Sequence, residues 1–347
     1  MKILADRLQP IITSIFHAAG CSPEESDRIS EHLVEANLAG HDSHGVIRTG
    51  TYVKWLKAGQ VLADRQLQIA FENDAVAVVD GQFGFGQTVG RQAMELGIAK
   101  SAKHGVAVVA LRNAGHLGRI GAWPLMAAAA GKLSVHFVNT SGAGILVAPF
   151  GGIERRLSAN PIAAGIPRAG RSPIVLDMSA CTIAEGKIKV ALNRGVDVPE
   201  NCILDAAGRP TTDPKAFYAD PPGSILPIAG HKGYGLGVLI EVLAGALTGG
   251  GCSNPANAGR LANGMLSIIL DPSVFQTDAA FAAEIERFIA WVKSSQTATA
   301  GGEILMPGEI EERTRVARLR DGIELDPTTW SQIVAAAGSV GVEVVGS

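Results

Sequence analysis

Through about residue 72 the apolar positions recur with helical spacing, whereas from Ala75-Val76-Ala77-Val78-Val79 onward they gather into short runs bounded by glycine. Four runs rich in β-branched residues, 75–80, 106–111, 133–138 and 174–177, predict strands. Helices are predicted between them at 90–104 and 120–131. The second contains Pro124, which a helix tolerates only in its first turn. Strands alternating with helices predict an α/β fold. After Gly249-Gly250-Gly251 helical spacing resumes, at 281–292 and in the Ala- and Val-rich tail from Trp330. The expected division is a mainly helical part made of residues 1–72 and 252–347, and a sheet-bearing part from 73 to 251.

The first helical region ends in an unusual cluster. Ser22-Pro23-Glu24-Glu25 reads as a helix start, with Ser22 as N-cap, Pro23 in the first helical position and Glu25 closing a capping box. Leu33, Val34, Asn37 and Leu38 carry the periodic face, and Gly40 is placed as a left-handed cap. Then come His41-Asp42-Ser43-His44-Gly45-Val46-Ile47-Arg48, before another apolar-periodic segment. If the next helix starts near His44, then His44, Arg48 and Tyr52 share one face. A proton-carrying imidazole would then lie one turn from a guanidinium that can grip a carboxylate. That suits chemistry on a carbon next to a carboxylate. The plain alternative is a polar turn with an ordinary surface His and Arg.

The chain has 347 residues, enough for about two domains, and 47% of them are hydrophobic, which excludes a disordered chain. A net charge of −3 with scattered cations argues against a nucleic-acid partner. The four cysteines form no CxxC pair, which predicts neither a zinc ribbon nor a disulfide framework, and fits a reducing, cytoplasmic setting. No secretory signal is read at the start. The most apolar stretch, 233–250, carries Glu241 mid-span and several glycines, so it is expected as a buried core helix and no membrane association is predicted.

Several loops carry candidate chemistry. Gly84-Phe85-Gly86-Gln87-Thr88-Val89-Gly90 follows a strand but has the spacing GxGxxxG, and the next strand ends in Arg112-Asn113 with no acid to hold a ribose. A Rossmann site is therefore not expected there. Arg112-Asn113-Ala114-Gly115-His116-Leu117-Gly118-Arg119 links a strand to a helix and would face an anionic cofactor; a polar loop is the plain reading. Gly230-His231-Lys232-Gly233-Tyr234-Gly235 offers a point charge for phosphate but is no P-loop. Asp177-Met178-Ser179 closes a strand with an acid, and Met306-Pro307-Gly308-Glu309 predicts a type II turn. Ser43 beside His44 lacks the GxSxG surround of a hydrolase nucleophile. His41 and His44 have no partner cluster that would complete a metal site.

Taken together, Gly40-His41-Asp42-Ser43-His44-Gly45, Asn113-Ala114-Gly115-His116-Leu117-Gly118, Ser158-Ala159-Asn160-Pro161, Asp177-Met178-Ser179, His231-Lys232-Gly233-Tyr234 and Pro307-Gly308-Glu309 resemble the type 2 malate/L-lactate dehydrogenase family. Gly186-Lys187 and Arg194-Gly195-Val196 bring the likeness nearest to its hydroxycarboxylate dehydrogenases. The resemblance implies a non-Rossmann α/β fold, with a mixed-sheet cofactor domain and a helical domain from both ends of the chain. It implies NAD or NADP as cofactor, NAD favoured, and a homodimer with active sites near the interface. It places Ser43 and His44 in a proton relay, Arg48 on the substrate carboxylate and Asn160 near substrate. Cofactor contacts would come from His116, Leu117, Gly118, Arg119, Ile120, Asp177, Met178, Ser179, His231, Lys232, Met306, Pro307, Gly308 and Glu309. Lys187 stands where the family's imine-reducing relatives carry an Asp as third relay member, so either Asp42 or nothing takes that role. The implied reaction is interconversion of a 2-oxo and a 2-hydroxy acid. Reduction of a cyclic imine, and a non-redox binding or hydrolytic role, are the alternatives.

Overall fold

The structure is a computed structural model that describes residues 1–257 and 259–344. It opens with β1 (Lys2–Ile3), α1 (Ala5–Ala18), α2 (Pro23–Leu38), two short 3-10 turns and α3 (Thr49–Lys57). β2 (Gln68–Glu72), β3 (Val76–Asp80), α4 (Gly86–His104), β4 (Val106–Ala114), α5 (Ala122–Ala129) and β5 (Leu133–Gly142) follow. Next come β6 (Pro161–Ile166), β7 (Ile174–Ser179), α6 (Glu185–Arg194), β8 (Ile203–Leu204), β9 (Pro210–Thr211), α7 (Pro214–Phe217) and β10 (Ser224–Ile225). α8 (His231–Ile240) runs on into a π-helical stretch, Glu241–Ala246. The chain closes with β11 (Leu261–Leu270), α9 (Asp278–Lys293), α10 (Glu309–Asp321), β12 (Ile323–Glu324) and α11 (Pro327–Gly338).

Seven strands form one mixed sheet in the order β2-β3-β4-β11-β5-β6-β7. Only β3 and β4 run parallel, joined by α4; every other neighbour is antiparallel. A single parallel crossover does not build the doubly wound sheet of a Rossmann fold. β11 lies at the centre of this sheet, between β4 and β5, although its position in the chain falls within the part expected to be helical. Its sequence Leu-Ala-Asn-Gly-Met-Leu-Ser-Ile-Ile-Leu is buried on both faces and so shows no alternation. β6 was equally silent because it is built of small residues. A Cβ on Gly165 would lie 2.7 Å from the Pro124 carbonyl oxygen, so α5 crosses the sheet only where the side chain is absent.

One core joins the two ends of the chain: Leu8, Ile12, Phe16, Leu33 and Tyr52 pack with Ile323, Leu325 and Ile333. β1 pairs antiparallel with β12, which ties the first residues to the last helices. A second core lies under the sheet around Val79, Met94, Leu111, Leu117 and Trp123. A third, unexpected one holds α6, α7 and the small sheet β10-β8-β9 together through Ile188, Ile203, Phe217 and Ile225.

Two local expectations change. The capping box at α2 is half formed: Ser22 Oγ accepts from Glu25 N at 3.3 Å, but the Ser22 N–H is taken by Asp64. Glu25 is buried instead, accepting from Asp64 N at 2.6 Å and Thr88 Oγ1 at 2.8 Å, so it clamps α2 to α4. The stretch 233–250 is not a buried helix. Val238, Leu239, Val242 and Leu247 are exposed on it, and only one side of it faces the sheet. Among the described residues no helix is long and apolar enough to cross a membrane.

Candidate active site

The polar cluster after α2 is organised by its backbone. α2 ends in a Schellman motif, with His41 N bonded to Ala36 O at 2.8 Å and Gly40 N to Asn37 O at 2.9 Å, Gly40 having φ +85°. Asp42–His44 and Val46–Arg48 form two 3-10 turns broken by an extended Gly45, and α3 begins only at Thr49. The expected continuous helix from His44 is therefore interrupted. Asn37, on the apolar face of α2, accepts from Val46 N at 2.8 Å and donates to Asp42 at 2.6 Å. A Cβ on Gly45 would lie 2.1 Å from Asn37 Oδ1, so only glycine lets the turn close on this amide.

The break does not scatter the functional groups. Arg48 Nε donates to the Ser43 carbonyl at 2.7 Å, which pins the guanidinium beside Ser43 and His44. Among the described residues, neither terminal nitrogen of Arg48 has a partner. Ser43 Oγ lies 3.1 Å from His44 Nδ1. The His44 ring stacks on His116, with centroids 5.7 Å apart and planes at 12°. Tyr52 Oη, from α3, is 2.6 Å from His116 Nδ1. Asp42, by contrast, is spent on Asn37 and on the Arg318 guanidinium of α10, so it does not take the place of a third relay member.

Burial and nearby guanidinium groups both act on the imidazoles. Burial, then Arg48, hold His44 down to about 3, and the same two causes push His116 well below the ordinary histidine range. Burial and Arg119 lower His32 to about 4. All three rings are neutral at neutral pH.

A second group of residues adjoins the first through the loop 115–121. Arg119 N donates to His32 Nε2 at 3.0 Å, and a Cβ on Gly118, at φ +72°, would meet that ring nitrogen at 2.2 Å. The buried Arg119 side chain lies 3.5 Å from Asp177, which also accepts from Gly121 N at 2.9 Å. Arg119 Nε has no hydrogen-bond partner among the described residues. The 306–309 turn is of type II, with Gly308 at φ +96° and Glu309 N on Met306 O, and it docks on β7 through Val175 N to Pro307 O at 3.0 Å. Met178 and Ser179 lie on the same strand, paired with Ile162 and Pro161. Leu117 and Ile120 point into the sheet core, so that loop offers backbone rather than side chains at those two positions. His231 and Lys232 are exposed at the N-terminus of α8.

Two expected residues differ from the others in their surroundings, one locked in a buried network and one exposed. Asn160, at φ +43° and fully buried, bonds to Ser158, to Gly237 O at 3.0 Å and to Glu241 at 3.0 Å, in a network completed by Asn139 and Ser253. No side-chain donor of Asn160 is left for a substrate in this arrangement. Lys187 is exposed on the first turn of α6, one residue past Gly186, whose Cβ would lie 2.6 Å from Ser43 Cβ. Sequence reasoning missed His32, Asn37, Gln87 and Arg318. His32 and Asn37 sit on α2 just before the cluster, Gln87 and Arg318 on helices far away in the chain, and only Asn37, a polar residue on an apolar face, left a signal.

The glycine run 84–90 has its own explanation. A Cβ on Gly86 would meet the His116 carbonyl oxygen at 2.4 Å, and one on Gly90 would meet the Trp123 ring at 2.8 Å. These glycines let α4 press on the His116 loop, and they are not a phosphate cradle. Among the described residues no three His, Cys, Asp or Glu gather as a metal site.

Sequence and structure comparison set this chain beside known proteins. Residues 3–334 match the family model described as malate/L-lactate dehydrogenase. The chain belongs to the malate/L-lactate dehydrogenase family. It is 40% identical over 342 residues to hydroxycarboxylate dehydrogenase B of Escherichia coli O157:H7, covering 97% of this chain and 94% of that one. The solved sulfolactate dehydrogenase of Methanocaldococcus jannaschii superposes with a TM-score of 0.86 at 36% identity, over 99% and 98% of the two chains. The solved Δ1-piperideine-2-carboxylate reductase of Pseudomonas syringae does so at 0.85 and 29%, over 97% and 100%. As a malate/L-lactate dehydrogenase family member the protein is an oxidoreductase acting on a 2-hydroxy acid, and the family is pyridine-nucleotide dependent.

Proposed function

We propose that the protein interconverts a 2-oxo and a 2-hydroxy acid with NAD, using His44 as acid and base and Arg48 as the carboxylate anchor. The observation that carries this reading is Arg48: its Nε is held by the Ser43 carbonyl while both terminal nitrogens stay uncommitted next to His44. A fork so fixed receives a carboxylate in two parallel hydrogen bonds and turns C2 toward the imidazole pair. In the oxidation direction neutral His44 takes the hydroxyl proton, and in reduction its protonated form returns it. Ser43 orients the ring. The nicotinamide, when bound, supplies or accepts the hydride.

The residues present suit that cofactor. Arg119, with its unpartnered Nε, Asp177, the 306–309 turn and the backbone of 116–120 adjoin one another, and the exposed Lys232 adds a cation at a helix start. NAD is favoured over NADP because Arg168 is tied in two hydrogen bonds to Glu286, so its fork is not free for a 2′-phosphate. Lys187 belongs to the rim, where a cation cannot steady an imidazolium. The imine reading loses support because, among the described residues, no carboxylate is bonded to the Ser43–His44 pair. A homodimer is supported by the exposed stripe of Gly235, Val238, Leu239, Val242 and Ala246, one face of α8 and its continuation. Four free thiols fit a cytoplasmic setting.

The deciding experiment mixes the protein with NADH or NADPH and a panel of 2-oxo acids and cyclic imine carboxylates, and follows loss of the reduced-nicotinamide absorbance. Oxidation of NADH by one or more 2-oxo acids is expected. Turnover of imines alone would transfer the protein to the reductase reading, and no turnover with any member would end the redox reading. For the oligomer, Val238→Glu is expected to turn a dimer into a monomer by light scattering.

A further inference from the structure

A backbone N–H can only donate, and the Gly118 N–H reaches His116 Nδ1 at 3.3 Å. That nitrogen therefore carries the lone pair. Tyr52 Oη lies 2.6 Å from the same atom, so its hydroxyl also donates there. Gln87, on α4, completes the arrangement: its Nε2 donates to the His116 carbonyl at 3.1 Å and to Tyr52 Oη at 3.4 Å. A carbonyl only accepts, which sets the amide's orientation and leaves Gln87 Oε1 buried without a partner. A native structure retains such an orphan where something else is gained. With a Tyr52 lone pair engaged by the amide, the hydroxyl proton points to His116. The tyrosine itself is 1% exposed and packed among Phe16, Phe85 and Trp55.

We propose that Tyr52, steadied by Gln87, is a positioning residue that locks His116 as the Nε2–H tautomer, so that His116 offers a hydrogen-bond donor to the C2 oxygen of the substrate beside His44. This rests on the reading of the His44–Arg48 site as a hydride-transfer site. Among the described residues neither Nε2 of the stacked pair has a partner, and neither is sealed from solvent. In oxidation the substrate hydroxyl donates to the lone pair of His44 Nε2 and accepts from His116 Nε2–H. In reduction the ketone oxygen accepts from His116 while the protonated His44 delivers the proton. With the other tautomer the ketone oxygen would face a lone pair on His116, which repels it. His116 keeps its proton throughout, so no further covalent step is added.

The test uses the full chain with ¹⁵N-labelled histidine, the His116 signals being assigned by their loss in His116→Gln. The expected wild-type spectrum shows Nε2 protonated and Nδ1 bare. Tyr52→Phe keeps the ring and removes the donor. It is expected to lower kcat toward the 2-oxo acid by roughly a hundredfold, the scale of losing one preorganised donor. Nucleotide affinity should be unchanged, and the His116 signals should move toward a mixture of tautomers. Gln87→Leu should give the same change to a smaller degree. Wild-type His116 protonated on Nδ1 overturns the proposal, and so does a Tyr52→Phe enzyme with wild-type kcat. If Tyr52→Phe does not fold, the wild-type spectrum and Gln87→Leu decide. A wild type that turns over no 2-oxo acid defeats the hydride-transfer reading and this catalytic role together, whereas the tautomer spectrum stands or falls separately.

Discussion

Arg48 and His44 make separable contributions that substitutions can divide. Lysine carries the charge of Arg48 but not its fork, so Arg48→Lys should lose activity toward 2-oxo acids and Arg48→Ala should lose more. Truncating a buried carboxylate partner costs about 2–5 kcal/mol, or roughly 30- to several thousandfold in kcat/KM. A ketone analogue without the carboxylate should fall much less in the same assay; an equal fall would show that Arg48 only supports the turn it bonds to. His44→Ala should lower kcat by roughly 10²–10⁴-fold and leave nucleotide affinity alone. The cationic surroundings of His44 add a linked prediction. Arg48 is the largest charge that disfavours the imidazolium, after burial itself. A carboxylate bound on Arg48 cancels it, so the pKa of His44 should rise and a 2-oxo acid analogue should bind together with a proton. Calorimetry in two buffers of different ionisation enthalpy should then give different apparent binding heats at neutral pH. Identical heats would mean that the proton arrives by another route.

At the scale of elements, the site depends on close backbone approach. Gly86, which opens α4, would place a Cβ 2.4 Å from the His116 carbonyl oxygen, whereas Gly338, at the end of α11, has open space around it. Gly86→Ala should therefore push α4 off the His116 loop and cost about 1–3 kcal/mol, as overpacking does. Gly338→Ala should be neutral or slightly stabilising, because it only reduces the freedom of the unfolded chain. Melting temperatures of the two variants check this directly, and equal values would mean that the loop yields without cost. The same contacts show how far local pattern reaches. The motif Gly84–Gly90 has the composition of a phosphate loop, yet its glycines face protein. Reading the spacing against the known fingerprint was enough to set the nucleotide role aside, but not to find the role it has. Likewise Ser22 and Pro23 start α2 as expected, while Glu25 leaves its capping box because Asp64 and Thr88, distant in the chain, offer it better partners.

Across the whole molecule, histidines held neutral by their surroundings set an acid limit to stability. His44 and His136 are each held to about 3 and His32 to about 4, burial being the first cause in every case, and His116 is lowered by the same cause. Unfolding returns each ring to the ordinary value near 6.5, so below that pH the unfolded chain binds protons that the folded chain refuses. Their contribution is fully present above about pH 6.5 and is lost as pH falls from there toward the folded values. Every ring acts in the same direction across that window. Urea unfolding midpoints should accordingly fall steeply from pH 6.5 to pH 5, and His136→Gln should flatten the slope. A pH-independent midpoint would contradict the buried neutral state. His136, whose hydrogen bonds go to Ser134 and Ser267 between β5 and β11, bonds to no residue assigned to the candidate site, so its variant tests stability apart from the chemistry. The sequence by itself determined the helical start, the α/β texture, the left-handed cap at Gly40, the type II turn at Pro307-Gly308 and the grouping of Ser43, His44 and Arg48. All of these follow from neighbours within a few residues and from rules of backbone conformation. Only the tertiary structure decided that β11 is a central strand, that Asp42 belongs to Arg318, that Asn160 is locked onto Glu241 and that His116 stacks on His44. Those outcomes depend on partners tens to hundreds of residues apart, where burial on both faces erases periodicity and a polar side chain's role is set by whichever donor or acceptor packing brings to it.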